Sequence, residues 1–150
     1  MHTFASPEET LRAVGQTYGP GAWLEITQER VDAFADATGD HQWIHVDPER
    51  AATGPFGGTI AHGYLTLSLV PMLGAYVLAY GGCSAKLNYG TEQVRFPQAV
   101  RVGSRVRAHA SIADAQRTDA GVRVTVRWTL EIEDEPKPAC VADTVVLLVP

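Results

Sequence analysis

The sequence predicts an α+β fold: one domain over residues 1–150, with a curved antiparallel β-sheet wrapped around a long central apolar helix. Two observations lead there. From Ala51 to Ala85 there is no Asp, Glu, Lys or Arg, and within that stretch His62–Tyr80 reads as a helix buried all round. After it, residues 84–96, 104–114, 121–133 and 139–149 read as strands, separated by Pro97, Gly103, Thr118–Gly121 and Pro136/Pro138.

Taken in order, residues 22–26 (AWLEI) read as a short strand. Thr27 is placed to cap a helix over Gln28–Thr38, where Val31, Phe34, Ala35 and Thr38 recur at i, i+3, i+4 and i+7. Gly39 ends that helix. Asp40 therefore opens a loop, and His45 can meet it only through a turn. Pro48–Ala52 reads as a single helical turn and GPFGG at 54–58 as loop. In the long apolar helix, Pro71 removes one backbone bond and should kink it near Leu67–Pro71, with Gly81-Gly82 as its end. The strand at 121–133 is the clearest. Val122, Val124, Val126, Trp128, Leu130 and Ile132 alternate with Arg123, Thr125, Arg127, Thr129, Glu131 and Glu133, so one sheet face is buried and the other solvated. A sheet with one face to cover and a helix with no polar face satisfy each other in the hot-dog arrangement. A single sheet leaves part of the helix and the sheet edges uncovered, so a homodimer is expected.

Composition narrows the function. With 45% hydrophobic and 19% charged residues the chain suits a soluble globular domain, and 150 residues are enough for a substantial core. The net charge of −5, with no basic stripe, argues against a nucleic-acid partner. A membrane span needs about 20 predominantly apolar residues, but His62–Tyr80 carries Gly63, Thr66, Ser68, Pro71 and Gly74 between Gly/Pro-rich turns and is read as a buried helix. Cys83 and Cys140 form no disulfide framework and no metal pattern. Together with an N-terminus lacking signal-peptide architecture, they point to a cytoplasmic protein.

Two local patterns carry little. His41 and His45 have the H-x-x-x-H spacing of a helical zinc site, but Gln42 stands where the zincins need Glu, and the segment follows a helix stop. No metal is expected. GPFGGT at 54–59 lacks the Gly-Lys-Ser/Thr ending of a P-loop.

Asp40 and His45 taken alone fit a polar turn as well as a catalytic pair. Gly63 changes that balance. It opens the apolar helix, where unpaired N–H groups and the positive end of the helix dipole are available and no side chain blocks a ligand. A carboxylate, an imidazole and a helix N-terminus are together the parts that activate water beside a polarised carbonyl.

The run FADATGDHQWIHVDPERAA, followed by FGGTIAHGYLTLSL, resembles the hydratase-2 motif of the MaoC-like dehydratases, the (R)-specific enoyl-CoA hydratases. Within that family it resembles the nodulation-protein-N-like branch and small hydratases of that type. The resemblance runs from about Glu25 to the C-terminus and includes NYGTEQVRFPQAVRVGSRVR at 88–107. It implies reversible hydration of trans-2-enoyl-CoA to (R)-3-hydroxyacyl-CoA by a homodimer. Asp40 and His45 would form the catalytic dyad, and the Gly63 N–H would bind the thioester oxygen. No cofactor is implied, because CoA is part of the substrate and the thioester itself makes C3 electrophilic. Arg95, Arg101 and Arg105 lie close to where the family's substrate channel runs, and at least one is expected to contact a CoA phosphate. The family commonly has Asn-Pro between its Asp and His, where this chain has Gln42-Trp43. The alternatives are a hot-dog acyl-CoA thioesterase or a non-catalytic acyl-thioester-binding subunit. The first usually places a carboxylate in or beside the central helix, and Ala51–Ala85 offers none.

Overall fold

The alternation read in residues 121–133 becomes the middle of the sheet. A computed structural model describes residues 1–150. Its elements, in chain order, are β1 (His2–Phe4), α1 (Pro7–Thr10), β2 (Thr17–Tyr18), β3 (Leu24–Glu25), α2 (Gln28–Thr38), α3 (Trp43–Val46) and α4 (Pro48–Ala52). Then follow α5 (Gly63–Ser68), α6 (Val70–Gly74), β4 (Leu78–Tyr80), β5 (Ala85–Arg95), β6 (Arg105–Thr118), β7 (Gly121–Ile132) and β8 (Cys140–Val149).

The main sheet is antiparallel in the order β2-β6-β7-β8-β5, with β3 also pairing β6. All six apolar residues of the β7 alternation are buried. They face α5 and α6, completing the hot-dog arrangement. Leu65, Leu69, Val70 and Leu73 come from the helical side of one core, and Val124, Val126, Leu130 and Leu148 from the sheet. α6 presses closely on the strands: a Cβ on Gly74 would lie 2.7 Å from the Trp128 ring. No helix is long and apolar enough to cross a membrane.

The central helix departs from the sequence reading. It is not one helix from His62 to Tyr80 but two short ones that meet at Leu69. Pro71 has no N–H to give Leu67, and the Ser68 hydroxyl donates back to the Tyr64 carbonyl at 2.7 Å, a bond that bends helices. The helical part stops at Gly74 rather than at Gly81-Gly82. Leu78–Tyr80 leaves it as a strand, parallel to His2–Phe4. A short apolar run does not by itself distinguish buried helix from strand, and the pairing with β1 decides it.

Nor is that helix apolar and covered all round. Tyr64, Ser68, Met72 and Tyr76 form an exposed stripe at four-residue spacing. β5, at the sheet edge beyond β8, is exposed along nearly its whole length, with Tyr89 at 68%.

Candidate active site

The site is assembled by the turn that follows α2, by α3 and by the start of α5. Thr27 caps that helix by accepting a bond from the Arg30 N–H at 3.2 Å, and Gly39 closes it in the left-handed region at φ 80°. The chain then reverses through Asp40, whose Oδ1 accepts the Gln42 N–H at 3.3 Å. This bond fixes the turn into α3, which carries His45. The turn-forming and the site-forming readings of Asp40 therefore coexist, because Oδ1 serves the turn and Oδ2 remains. The carboxylate is half exposed, whereas His45 is 6% exposed.

His45 is held by main-chain groups. Its Nδ1 lies 2.7 Å from the Ile60 carbonyl. A carbonyl only accepts, so Nδ1 carries the proton and Nε2 keeps the lone pair. Behind it, the Gln28 side-chain amide donates to the His45 carbonyl at 2.7 Å and accepts from the Thr59 hydroxyl. Burial pulls the His45 pKa below the usual imidazole value. The neighbouring His62 ring adds to that depression, while the Ile60 carbonyl and Asp40 oppose it.

His62, the residue before α5, joins the pair. Its Nε2 donates to the Asp40 main-chain carbonyl at 2.9 Å and lies 4.0 Å from Asp40 Oδ2. One donor atom from each of Asp40, His45 and His62 lies within 4.8 Å of the others, a gap that a single water bridges with two ordinary hydrogen bonds. A metal could in principle share that spacing. The two imidazoles, however, stack at 3.8 Å with planes only 23° apart, so their in-plane lone pairs run side by side rather than converging.

His41, the other member of the H-x-x-x-H pattern, turns away. It pairs with Asp36 at 2.8 Å, and that bond raises its pKa.

Gly63 is the first residue of α5. Neither its N–H nor that of Tyr64 donates to a protein group. A Cβ on Gly63 would stand 2.9 Å from the Phe96 ring, so a glycine here lets Phe96 close over the helix end.

The arginines are dispersed. Arg105 is paired with Glu133, and its guanidinium pKa is raised by that partner. Arg101 donates to the Gly57 carbonyl at 2.9 Å and so clasps the GPFGG loop. Arg95, on the edge strand, bonds only the carbonyl of its neighbour Val94.

Further along, a cavity of about 410 Å³ lies between α5–α6 and the sheet, lined by Leu67, Val70, Trp128, Val146 and the β5 segment 88–91. At about 1.5 Å of rise per residue, Leu67 is roughly 6 Å along α5 from Gly63.

Sequence reasoning did not place His62, Gln28 or the Ile60 carbonyl in the site. The His-Gly pair before the apolar helix was the one available signal for His62. A main-chain acceptor leaves no mark in a sequence.

Residues 9–133 match the family model described as MaoC like domain. The chain is 52% identical over 147 residues to the 3-hydroxyacyl-thioester dehydratase Z of Mycobacterium tuberculosis strain H37Rv, covering 97% of each. It is 43% identical over 156 aligned positions to Nodulation protein N of Rhizobium leguminosarum bv. viciae, covering 99% of this chain and 93% of that one. The solved (R)-hydratase from A. caviae involved in PHA biosynthesis superposes with a TM-score of 0.71 at 27% identity, over 90% of this chain and 96% of that one.

Proposed function

The chain belongs to the MaoC-like dehydratase family and is a hydro-lyase, and from that premise we propose that it is an (R)-specific enoyl-CoA hydratase. It interconverts a trans-2-enoyl-CoA and water with the (R)-3-hydroxyacyl-CoA. The observation that carries this reading is the 2.7 Å bond from His45 Nδ1 to the Ile60 carbonyl, which leaves Nε2 as a base beside the Asp40 carboxylate. Burial supports it further by keeping the ring neutral and able to accept a proton.

In the hydration direction, Asp40 and His45 hold one water. His45 Nε2 takes a proton from it as the oxygen bonds to C3 of the enoyl group. The C2–C3 π electrons move onto the thioester, giving an enolate whose oxygen accepts the Gly63 N–H. A proton returned through the dyad to C2 completes the addition. Atoms balance with water as the only co-reactant, and the reverse path is dehydration. The cavity beyond Leu67 offers the acyl tail an apolar wall.

The exposed stripe of Tyr64, Met72 and Tyr76 and the uncovered β5 edge support the second part of the proposal, a homodimer joined over that face. Its interface is expected to exceed the ~1,000 Å² of a biological contact. Sedimentation at micromolar concentration should give the dimer mass, and a fully active monomer would overturn that part.

Incubation with crotonyl-CoA tests the activity. Loss of the enoyl absorbance without release of free thiol is the expected result. Thiol release without hydration, or no change, would overturn it.

A further inference from the structure

We propose that His62 is a positioning residue, whose ring and Nε2–H hold His45 and the Asp40 main chain in place against the start of α5. The proposal rests on the reading of Asp40 and His45 given above.

His62 touches both Asp40 and His45 and immediately precedes Gly63 in the chain. It is 2% exposed and lies between two rings, His45 at 3.8 Å and Phe34 of α2 at 5.0 Å. Its Nε2–H reaches back across 22 residues to the Asp40 carbonyl, and its own backbone leads directly into Gly63. One rigid ring thus spans the base, the carboxylate-bearing turn and the free helix N–H groups.

The cost of the arrangement argues that it is there for geometry. With Nε2 committed to the carbonyl, Nδ1 is left buried with no hydrogen-bond partner. A buried polar atom without a partner is destabilising. Phenylalanine would fill the same slot between Phe34 and His45 without that penalty. What it would lack is the tether to Asp40. A residue kept only for packing would not carry an orphan nitrogen.

The stack also bears on protonation. The charged or titratable groups facing His45 are Asp40 from the turn and His62 from the start of α5. Ile60 and Gln28 present only a carbonyl and an amide, and α2 presents Phe34. A positive charge on either stacked ring opposes one on the other, so His62 helps keep His45 neutral.

His62→Phe and His62→Gln separate these roles. The phenylalanine keeps the stack and loses the tether. The glutamine keeps a donor near the position of Nε2 and loses the ring. His62→Phe should lower kcat on crotonyl-CoA about ten- to a hundredfold with KM within twofold, the scale of a misplaced catalytic group. Its thermal midpoint should be equal to or above that of the wild type. His62→Gln should recover most of the lost kcat. Unchanged kcat in His62→Phe, a parallel fall of kcat and thermal midpoint, or a glutamine no better than phenylalanine would each overturn the proposal.

A second measurement needs no substrate. The His45 imidazole, titrated by NMR, should show a higher pKa in His62→Phe than in the wild type, and an unaltered value would overturn the contact role. Should the wild type leave crotonyl-CoA untouched, the hydratase reading fails while this titration still decides on His62.

Discussion

β7 and the segment from Gly39 to Gly63 both pack into the body of the protein, yet they are held there by opposite means. β7 is held by side chains. Its six apolar residues repeat every second position, each with several neighbours in the same core, and its ladder bonds to β6 and β8 are indifferent to residue identity. The Gly39–Gly63 segment has ordinary main-chain bonds too, such as Ala61 N–H to the Val100 carbonyl, but its site residues are fixed by main-chain acceptors that each meet one particular side chain: Ile60 with His45, Asp40 with His62, and His45 with Gln28. A lesion in β7 should therefore cost stability and spare the position of the reacting atoms. A lesion in the segment should do the reverse.

The strongest way to break that contrast is to remove the dyad. Asp40→Asn and His45→Gln should each lower kcat on crotonyl-CoA by about 10²- to 10⁴-fold, the range of acid–base contributions. The double variant should be scarcely worse than either single, because residues acting on one water fail as a unit. Thermal midpoints should move by only a few degrees. The same pair predicts the pH profile. Since the His45 pKa is lowered, chiefly by burial, its neutral form persists below the usual imidazole range, and kcat/KM for hydration should fall only at a pH under that range. A kcat/KM that already declines on acidification above pH 7, or near-wild-type turnover in either single variant, would remove the dyad from the chemistry.

Gly63→Pro comes next. Proline is tolerated at the first position of a helix, and His62 already has the extended conformation, φ −59° and ψ 138°, that precedes proline well. The substitution deletes the N–H, although its ring must displace Phe96. Turnover should drop about 10²-fold, as when one oxyanion donor is lost. Retained turnover in a folded Gly63→Pro protein would take the oxyanion role from this residue.

Leu130→Ala tests the other side of the contrast. Leu130 is fully buried in β7 and faces the helices. Truncation should cost roughly 2–5 kcal/mol of stability by leaving a cavity. The kcat of the folded fraction, measured well below the lowered thermal midpoint, should stay within a few-fold of wild type. A collapse of kcat at full folding would show that the sheet positions the dyad directly.

The same contrast explains what could be read from the sequence. β7 was legible because its two-residue alternation marks one buried face, and the other three long strands because Pro97, Gly103, Thr118–Gly121 and Pro136/Pro138 bound them. α2 was legible because Thr27 and Gly39 carry their capping chemistry locally. Asp40, His45 and Gly63 were recognisable as a set through the resemblance, and the structure gathers them around one helix end. His62 reads from the sequence only as the first residue of the apolar helix, and Gln28 only as the start of another. Their roles depend on carbonyls brought near by folding, and carbonyls are the same in every residue. β1, α1 and β2 were missed for a related reason: they are two to four residues long, and the two strands exist because β4 and β6 lie beside them. The break at Leu69 was signalled by Pro71. The conversion of Leu78–Tyr80 into a strand was not, since its partner lies more than 70 residues away.

The smallest expected effect concerns the three arginines, where the structure sharpens an expectation that treated them alike. Arg105 already has Glu133 as a two-pronged partner, and releasing it to a phosphate would strand that carboxylate. Arg101 is spent on the Gly57 carbonyl, so its loss should loosen the loop over residues 54–58 before it affects any anion. Arg95 has no partner beyond the carbonyl next to it and adjoins Phe96, which covers Gly63. If one of the three meets a CoA phosphate, Arg95 is best placed to do so. Arg95→Ala should raise KM for crotonyl-CoA a few-fold, leave kcat unchanged and flatten the rise of KM with salt, because an exposed charge pair is screened within about 10 Å at 0.1 M. Arg105→Ala should leave all three quantities as they were. Equal KM values for the wild type and Arg95→Ala at low salt would return all three arginines to the surface of the sheet, with no part in binding CoA.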